Sequence, residues 1–543
     1  MKRIITLLLL TLLTPASAQP LSETDKIFAT AKLWGFLKYY HSEVAKGKFE
    51  WDEQLFVLIK KTKAAQDKEQ LSTIYEHWLN GLGKVKPCKK CDVISKKDYF
   101  DKNFDLSWTQ DPKLFSPTLS ARLKFIEENR FQGKSHYFKM HPSVGNVEFL
   151  NEKTYEKPVW QDRDLRLLSL IRYWNHFEYF SPYKYMTDQN WDDVLREMIP
   201  VFENAVNEDQ LYLAMLELTA KTDDSHGGIY SEPTNKYFGL FCIPADYKLI
   251  DGKAVVNGFH DLDKAKRDDW QIGDAVEKAN GRNLSDILAE RQKYLPSSND
   301  AVRKRRRYAL LNGSEDSLKV IFSRDGKSYE KTVRRYLSNE FQDPFKNHPK
   351  WKIISGNIGY IDMGQLEISD IDLIWKELQD TKSLIIDVRN YPKSTMYMLA
   401  KKLFPKSDFV KLTQPDPDYP GKFFWTRTLS IGNTKNYTYP GKIVILVNET
   451  TQSHAEFTVM GLQRAPNCIT IGTQTAGADG NVSASVFPSG TNSYITGLGV
   501  FYPDGTETQR KGVRIDIEVQ PTISGIANKK DEILEKAIQI ASE

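Results

Sequence analysis

Gly441–Gln463 reads GKIVILVNETTQSHAEFTVMGLQ and decides the fold class of the C-terminal part of this chain. Its first half, Lys442–Val447, is a continuous apolar and β-branched run, which is typical of a strand buried on both faces of a sheet. Its second half, Ala455–Gln463, has the apolar spacing of a helix. Ser453 therefore lies where a strand turns into a helix, and there free backbone N–H groups and the helix dipole favour a developing oxyanion. The position predicts a candidate nucleophile, although serine is also a preferred N-cap residue.

The same alternation of strand and helix continues on both sides of this segment. Apolar runs predict strands at 358–363, 383–388, 443–447 and 468–471, and helical spacing predicts helices at 370–378, 396–403, 455–463 and 531–541. Strands that alternate with helices are typical of an α/β domain. We therefore predict an α/β core over residues 346–543.

Several short motifs in this core follow one another in a fixed order. Thr451-Gln-Ser453-His-Ala-Glu456 resembles the T-x-S-A-A-E signature of the C-terminal-processing (tail-specific) and tricorn-core serine peptidases. The further matches are Gly359–Ile361, Ile386–Asn390, Ile471–Gly477 and Lys511–Val513. The resemblance implies a serine-type peptidase, a hydrolase with Ser453 as nucleophile, Glu456 as a structural residue, and no metal or cofactor.

The resemblance also implies which residue is the general base. The tail-specific branch uses a lysine within a T-x-G-K-G pattern, and this chain has Ala478 in that place. The tricorn branch uses a histidine that follows a serine, and Ser225-His226 match that pair, with Ser225 helping to orient the ring. Histidine, with an ordinary pKa of about 6.5, is a suitable base near neutral pH. The acid of the tricorn branch falls on Gln509, and Glu507 nearby is a possible supporting acid.

The oxyanion loop departs from the family pattern. Tyr391–Ser394 stands where the relatives have two glycines after a D-x-R-x-N motif. Non-glycine residues restrict the backbone conformations of such a loop. We expect the backbone N–H of Lys393 or Ser394 to serve as one oxyanion donor and that of His454 as the other. The His454 side chain is not expected to be the base.

An internal duplication precedes the core. Trp34 and Trp51 recur as Trp174 and Trp191, each displaced by 140 residues (174 − 34 and 191 − 51). Both copies have helical spacing. The second copy alone ends in the Ser-His pair, so we expect that the pair has a purpose beyond the repeated helices.

Between the second copy and the core, short strands predict a β module. Ile272–Val276 and Ala279–Gly281 resemble the G-D-x-I and x-N-G core of PDZ modules, whose sheet edge captures an extended peptide. The fold class that we predict is multidomain α+β, with a duplicated helical region, a PDZ-like β module and an α/β serine-peptidase core. The divisions are a signal peptide at 1–18, helical copy 1 with a mixed connecting region at 19–157, helical copy 2 at 158–235, the PDZ-like domain at 236–345 and the core at 346–543.

The first residues and the charge bound the location and the partners. Residues 1–18 have a basic start, a short apolar stretch and an A-x-A site, which together indicate a secretory signal peptide. No cysteine lies near that site, so a lipid anchor is not expected, nor is any later transmembrane helix, and the predicted location is periplasmic or secreted. A net charge of +4 does not indicate nucleic acid as a partner. The basic run Arg303–Arg307 is interpreted as the solvated face of a helix.

Cysteine usage is sparse for an exported chain. Cys88-Lys-Lys-Cys91 suits a redox pair, half a zinc site or a tight disulfide, and zinc would need two further ligands. We predict a Cys88–Cys91 disulfide, with Cys242 and Cys468 as buried thiols.

These features predict an exported serine endopeptidase that acts on peptides or unfolded proteins. Two alternatives stay open. The altered loop and Gln509 are also compatible with a catalytically weakened peptide-binding protein, and an acyl hydrolase would use the same residues. The sequence does not indicate the oligomeric state.

Overall fold

The computed structural model describes residues 21–91, 98–341 and 349–543. The predicted signal peptide at 1–18 lies outside these described residues. None of the described helices is long and apolar enough to cross a membrane.

The N-terminal part is helical. Its helices are α1 (Glu23–Tyr40), α2 (Ser42–Ala45), α3 (Trp51–Thr62), α4 (Lys68–Gly81), α5 (Pro117–Glu128), α6 (Arg163–Phe180), α7 (Trp191–Glu203), α8 (Glu208–Ala220) and α9 (Glu232–Phe238). In the connecting segment, one short strand, β1 (Tyr99–Phe100), precedes α5. Two others, β2 (Phe138–Met140) and β3 (Val147–Phe149), follow it. We call residues 21–238 the helical region.

The two helical copies make matching contacts. Within each copy the tryptophan pair is hydrogen-bonded, from Trp34 Nε1 to the Trp51 carbonyl at 2.9 Å and from Trp174 Nε1 to the Trp191 carbonyl at 2.7 Å. Between the copies, Lys32 of α1 pairs with Asp192 at 2.6 Å, and Arg172 of α6 pairs with Asp52 at 2.8 Å. Each residue of one pair is displaced by 140 from its counterpart (172 − 32 and 192 − 52). Such reciprocal contacts are those of two similar units packed about a pseudo-twofold axis.

A small sheet module follows the helical region. Its strands are β4 (Phe241–Cys242), β5 (Ala245–Ile250), β6 (Lys253–Phe259), β7 (Ala275–Ala279), β8 (Arg282–Asn283), β9 (Ser317–Arg324), β10 (Lys327–Arg334) and β11 (Tyr336–Leu337), and its helices are α10 (Leu262–Arg267), α11 (Leu284–Arg291) and α12 (Asp300–Arg305). The main sheet has the order β10-β9-β7-β6-β5, with all pairs antiparallel and β5 at one edge.

The C-terminal part is an α/β core. Its elements are β12 (Trp351–Ile354), β13 (Ile358–Asp362), α13 (Ile371–Leu378), β14 (Ser383–Asp387), α14 (Met396–Leu403), β15 (Ser407–Pro415), β16 (Phe423–Trp425), β17 (Leu429–Ile431), β18 (Lys442–Val447), α15 (His454–Leu462), β19 (Cys468–Gly472), β20 (Val482–Val486), β21 (Asn492–Thr496), β22 (Gly499–Phe501), β23 (Ile517–Glu518), α16 (Ile523–Ala527) and α17 (Glu532–Ser542). The predicted strands and helices of this core are confirmed, and their ends differ from the prediction by no more than one residue.

The core sheet is largely parallel and buried on both faces. Its order is β12-β13-β14-β18-β19-β23, and only β12 runs antiparallel to its neighbour. Every residue of β14 is buried, because α13, α14 and α15 cover one face of the sheet and α17 covers the other. This two-sided cover explains why β18 is apolar throughout rather than alternating.

The cysteines agree with the prediction in part. Cys88 and Cys91 form a disulfide. Cys242 and Cys468 are part-buried as residues rather than fully buried, although burial raises the pKa of the Cys468 thiol to about 12.

A buried network of charges holds the helical region together. Glu152 accepts an ion pair from Lys38 at 2.6 Å and another from Arg172 Nε at 3.0 Å, and His176 Nε2 lies 3.2 Å away. Burial raises the pKa of Glu152, but the charges of Lys38 and Arg172 outweigh burial and hold its pKa well below the ordinary value. The carboxylate is therefore ionised at neutral pH.

Replacing Glu152→Gln should lower the free energy of unfolding by about 3 to 5 kcal/mol, because it leaves two buried cations unpaired. Since the folded-state pKa is depressed, this contribution is complete at neutral pH and is lost as the pH falls below about 4.3, the ordinary value for glutamate. Urea unfolding at pH 7 measures the change, with Glu69→Gln, an exposed residue of α4, as the control. Equal losses in the two variants would contradict the expectation.

Candidate active site

Ser453 sits at the N-cap of α15, directly after the loop that follows β18. Its backbone has φ 55°, a left-handed conformation that non-glycine residues adopt only under local constraint. The constraint comes from hydrogen bonds of the loop to the end of β14: Thr450 Oγ1 donates to the Arg389 carbonyl and Thr451 Oγ1 donates to the Val388 carbonyl, both at 2.8 Å. The result is a half-buried hydroxyl on a sharp turn at the carboxyl edge of the sheet.

Glu456 hydrogen-bonds both the loop at 475–478 and the backbone of Ser453. Its Oε1 accepts from Thr475 Oγ1 at 2.6 Å and from the Gly477 N–H at 2.8 Å, and its Oε2 accepts from the Ala478 N–H at 3.0 Å and the Ser453 N–H at 3.3 Å. The Ser453 N–H also donates to the Ala478 carbonyl at 2.9 Å. Burial raises the pKa of Glu456, although these donors oppose the rise. The predicted structural role of this glutamate agrees with these contacts.

The expected oxyanion loop keeps a conformation that a glycine would favour. Ser394 has φ 52°, so the left-handed turn persists without the relatives' glycines. The Tyr391 ring lies 6.1 Å from the His454 ring, which places this loop beside the start of α15. Among the described residues, none accepts a hydrogen bond from the N–H of Lys393, Ser394 or His454. Within the described residues, these three N–H groups are thus not committed to another acceptor.

The side chains of Lys393 and His454 make contacts of their own. Lys393 Nζ is exposed and pairs with Glu367 at 2.5 Å. The His454 ring packs beside Tyr391 and Phe457, burial lowers its pKa, and its Nε2 has no partner within the described residues.

His226 lies in the loop after α8, and its ring is held from one side. Its Nδ1 is 2.9 Å from Thr496 Oγ1 and 3.2 Å from Asp224 Oδ1. Thr496 Oγ1 donates its own hydrogen to Asp224 Oδ2 at 2.6 Å, so it can only accept from the ring. Nδ1 therefore carries the proton, and Nε2 has a free lone pair, which is the tautomer that a general base needs.

Asp224 is the carboxylate of this arrangement, and sequence reasoning missed it. It is buried and also accepts from the His226 N–H at 3.0 Å and the Thr496 N–H at 2.9 Å. Burial raises its pKa, but the charge of His226 and these hydrogen bonds outweigh burial and leave the pKa below its ordinary value. The available signal was an aspartate two residues before the histidine. Thr496 gave no such signal, because it lies 270 residues further along the chain.

The residues predicted to support the base lie elsewhere. Glu507 was a possible supporting acid, but it pairs with Lys102 at 2.9 Å and Lys511 at 3.1 Å. Burial opposes these pairs, which nevertheless lower its pKa to about 2. Ser225 does not hydrogen-bond to the ring; instead its hydroxyl accepts from the Ser298 N–H, and its N–H donates to Ser298 Oγ, both at 2.8 Å. Ser225 therefore anchors the base loop.

Residues 478–480 run between the turn of Ser453 and the loop of His226. Ala478 accepts from the Ser453 N–H at 2.9 Å, and a Cβ on Gly480 would lie 3.1 Å from Cγ2 of Thr496, the partner of His226. Two residues span at most about 7 Å. Residues 478–480 thus connect the turn of Ser453 to the hydroxyl that contacts His226, and His226 Nε2 has no hydrogen-bond partner within the described residues. Catalytic hydrogen bonds are often long in the absence of substrate.

The sheet module touches both halves. Asn299, at the start of α12, donates to the Thr475 carbonyl at 2.8 Å, in the loop that Glu456 holds. Arg305, at the end of α12, donates to Gln452 Oε1 at 2.6 Å, next to the nucleophile. The interpretation of Arg303–Arg307 as a solvated face is therefore wrong for Arg305, because it packs against the nucleophile loop and is half-buried.

The C-terminal core resembles a known family of peptidases. Residues 357–519 match the model of peptidase family S41. This part of the chain is an S41 peptidase domain, and the protein is a serine-type peptidase. The resemblance predicted from the motifs is confirmed for the C-terminal core. Such an enzyme is a hydrolase that acts on peptide or protein substrates.

Solved structures agree with the fold of this S41 peptidase. The chain is similar to mature CPAF, with 13% identity and a TM-score of 0.55 over 70% of this chain and 97% of that one. It is also similar to mature CPAF complexed with lactacystin, with 14% identity and a TM-score of 0.53 over 70% of this chain and 98% of that one. A putative peptidase from Parabacteroides merdae has 14% identity and a TM-score of 0.44 over 70% of this chain and 97% of that one. No curated protein matches the sequence of this chain. At 13 to 14% identity, the likeness to the two CPAF structures shows the fold alone.

Within the described ranges, no group of three or more His, Cys, Asp or Glu side chains could hold a metal ion.

Replacing Glu456→Gln should lower the free energy of unfolding by about 2 to 3 kcal/mol, because the amide turns one acceptor into a donor that faces backbone N–H groups. The same change should reduce peptidase activity, since the Ser453 turn loses its anchor. Thermal or urea unfolding together with an activity assay measures both effects, and Glu518→Gln, an exposed residue of β23, is the control. If Glu456→Gln and Glu518→Gln behaved alike, the anchoring role would be refuted.

Proposed function

We propose that this S41 peptidase is an exported endopeptidase in which Ser453 attacks the peptide carbonyl and His226 is the general base. One observation carries the proposal. The Nδ1 of His226 is committed to Thr496 and Asp224, and its buried Nε2 is left as an acceptor with no partner within the described residues. Export, to the periplasm or the medium, rests on the signal-peptide features of residues 1–18.

Each residue of the site has a defined role in the proposed reaction. His226 Nε2 takes the Ser453 hydroxyl proton as Oγ attacks the carbonyl, and the carboxylate of Asp224 stabilises the imidazolium that forms. The backbone N–H of His454, with that of Lys393 or Ser394, stabilises the oxyanion together with the positive end of α15. His226 then gives the proton to the leaving amine, and water hydrolyses the acyl-enzyme by the same steps.

No lysine is needed in this scheme. Ala478 stands at the position of the tail-specific lysine and uses its carbonyl to hold the Ser453 N–H. Ser225, which the resemblance implied as an orienting residue, contributes by tying the base loop to Ser298. Glu507 takes no part in our scheme, since its partners are lysines, and Asp224 has the role of the acid.

The other regions have proposed roles that follow the sequence divisions. The segment 236–345 is proposed as a PDZ-like domain whose sheet edge pairs with an extended peptide; the position of β5 at the end of the sheet supports this. The segments 19–157 and 158–235 are proposed as helical copies, supported by the reciprocal ion pairs between them.

The nucleophile is tested with a serine-directed fluorophosphonate and an unfolded protein substrate. The wild-type enzyme should be labelled at Ser453 and should hydrolyse the substrate, and Ser453→Ala should lose labelling and at least roughly 10⁴-fold in kcat. Substrate binding without labelling would instead support the peptide-binding alternative. Labelling together with cleavage of esters but not peptides would support the acyl hydrolase.

The orienting acid is tested with two neighbouring aspartates. Asp224→Asn should lower kcat by roughly 10³- to 10⁴-fold, because the amide cannot hold the Nδ1–H tautomer or stabilise imidazolium. Asp223→Asn is the matched control, since Asp223 accepts from the Asp188 N–H and has no contact with the His226 ring. A kcat for Asp224→Asn within a few-fold of the control would remove Asp224 from the mechanism.

A further inference from the structure

The β20–β21 hairpin, residues 482–496, is part of the S41 domain in sequence but not in packing. Its two strands pair only with each other and join neither sheet of the core. Its apolar residues Phe487 and Ile495 are buried in the hydrophobic core of the helical region. The turn at Pro488–Gly490 lies at the far end of the hairpin. The helical region therefore packs against one face of an arm of the catalytic domain.

One strand of the hairpin is held by α6. His176 Nδ1 lies 2.8 Å from Ser485 Oγ, and the Tyr173 ring stacks on Phe487 with centroids 5.3 Å apart and planes at 8°. Burial lowers the pKa of His176 to about 4, so the ring is neutral near pH 7. Its Nε2 faces the carboxylate of Glu152, which can only accept, so Nε2 carries the proton and Nδ1 accepts from the Ser485 hydroxyl.

The turn and the second strand are held by three other parts of the helical region. The Tyr155 N–H donates to the Pro488 carbonyl at 2.9 Å. Tyr212 of α8 lies 3.2 Å from Thr491 Oγ1, and the Gly228 N–H lies 3.4 Å from Ser493 Oγ. Contacts along the whole length of the hairpin thus fix its position relative to the helices.

The hairpin ends at the catalytic base. Thr496 is the last residue of β21, and it both accepts from His226 Nδ1 and donates to Asp224. In the register of the hairpin, Ser485 is opposite Ser493, three residues before Thr496. A displacement of the strands at Ser485 is therefore transmitted to Thr496 through a few paired residues.

We propose that the helical region positions the general base through this hairpin, with His176 and Ser485 as positioning residues. The inference rests on the proposed function, since it assumes that His226 is the base. The ion pairs of Glu152 with Lys38 and Arg172 fix His176, His176 fixes the hairpin through Ser485, and the hairpin sets Thr496 against the imidazole. The helical copies thereby act on catalysis without touching the substrate or the nucleophile.

Removing the Ser485 hydroxyl tests the proposal. Ser485→Ala should lower kcat by about tenfold, because a base displaced by a fraction of an ångström transfers the proton poorly. KM should be unchanged, since Ser485 is buried in the helical region. The acid side of the pH–kcat profile should move, because that side reports protonation of the base, and the rate of labelling by a fluorophosphonate should fall in the same proportion as kcat.

Ala484→Ser is the matched control. It changes the same single atom at the neighbouring residue, which is exposed on the opposite face of the strand. It should leave kcat, the pH profile and the labelling rate as in the wild-type enzyme. If Ser485→Ala is unfolded at the assay temperature, Tyr212→Phe, which removes only the hydroxyl at the end of the hairpin, is expected to show the same kcat and pH effects in smaller size.

The outcomes separate this inference from the proposed function. Wild-type enzyme that is not labelled at Ser453 would overturn both. Wild-type labelling with identical kcat, KM and pH profiles for Ser485→Ala and Ala484→Ser would overturn the hairpin inference alone. A change in KM without a change in kcat would also overturn it, since the contact would then act on substrate binding.

Discussion

The hydrogen bond from Thr496 to Asp224 is the interaction on which the active site depends. Because the hydroxyl gives its hydrogen to the carboxylate, it can only accept from His226, and the proton of the neutral ring is therefore fixed on Nδ1. The lone pair on Nε2 follows from that bond. The three residues come from two distant parts of the chain, so the protonation state of the base is a property of the assembled fold rather than of a local motif.

The nucleophile depends on a different constraint. Ser453 has a left-handed backbone that strand and helix would not adopt by themselves, and a set of hydrogen bonds holds it there. Glu456 lies under the turn as a buried carboxyl with donors on both oxygens, so it fixes the loop at 475–478 and the Ser453 N–H together. Strain at the nucleophile is thus balanced by a buried polar network rather than by apolar packing.

The residues of the proposed site come from different regions of the chain. The core carries the proposed nucleophile and oxyanion donors, and the end of the helical region carries the proposed base. The sheet module connects the two through Ser298, Asn299 and Arg305. Helix α6 packs against one face of the hairpin that carries Thr496. A small displacement between regions would therefore change the separation of base and nucleophile without altering either residue.

The sequence by itself determined the local structure of this protein: the alternating strands and helices of the core, the strand-to-helix position of Ser453 and the family motifs. These are set by the side-chain period and by residues close in the chain, which is why the ends of the core's strands and helices were predicted so closely. Only the tertiary structure decided which acid serves His226, why Glu507 does not, where Arg305 packs, and what the helical copies pack against. Those contacts join residues separated by more than a hundred positions or depend on the geometry of one turn, as for Asp224. No local pattern encodes them, because they follow from how separately formed elements pack against one another.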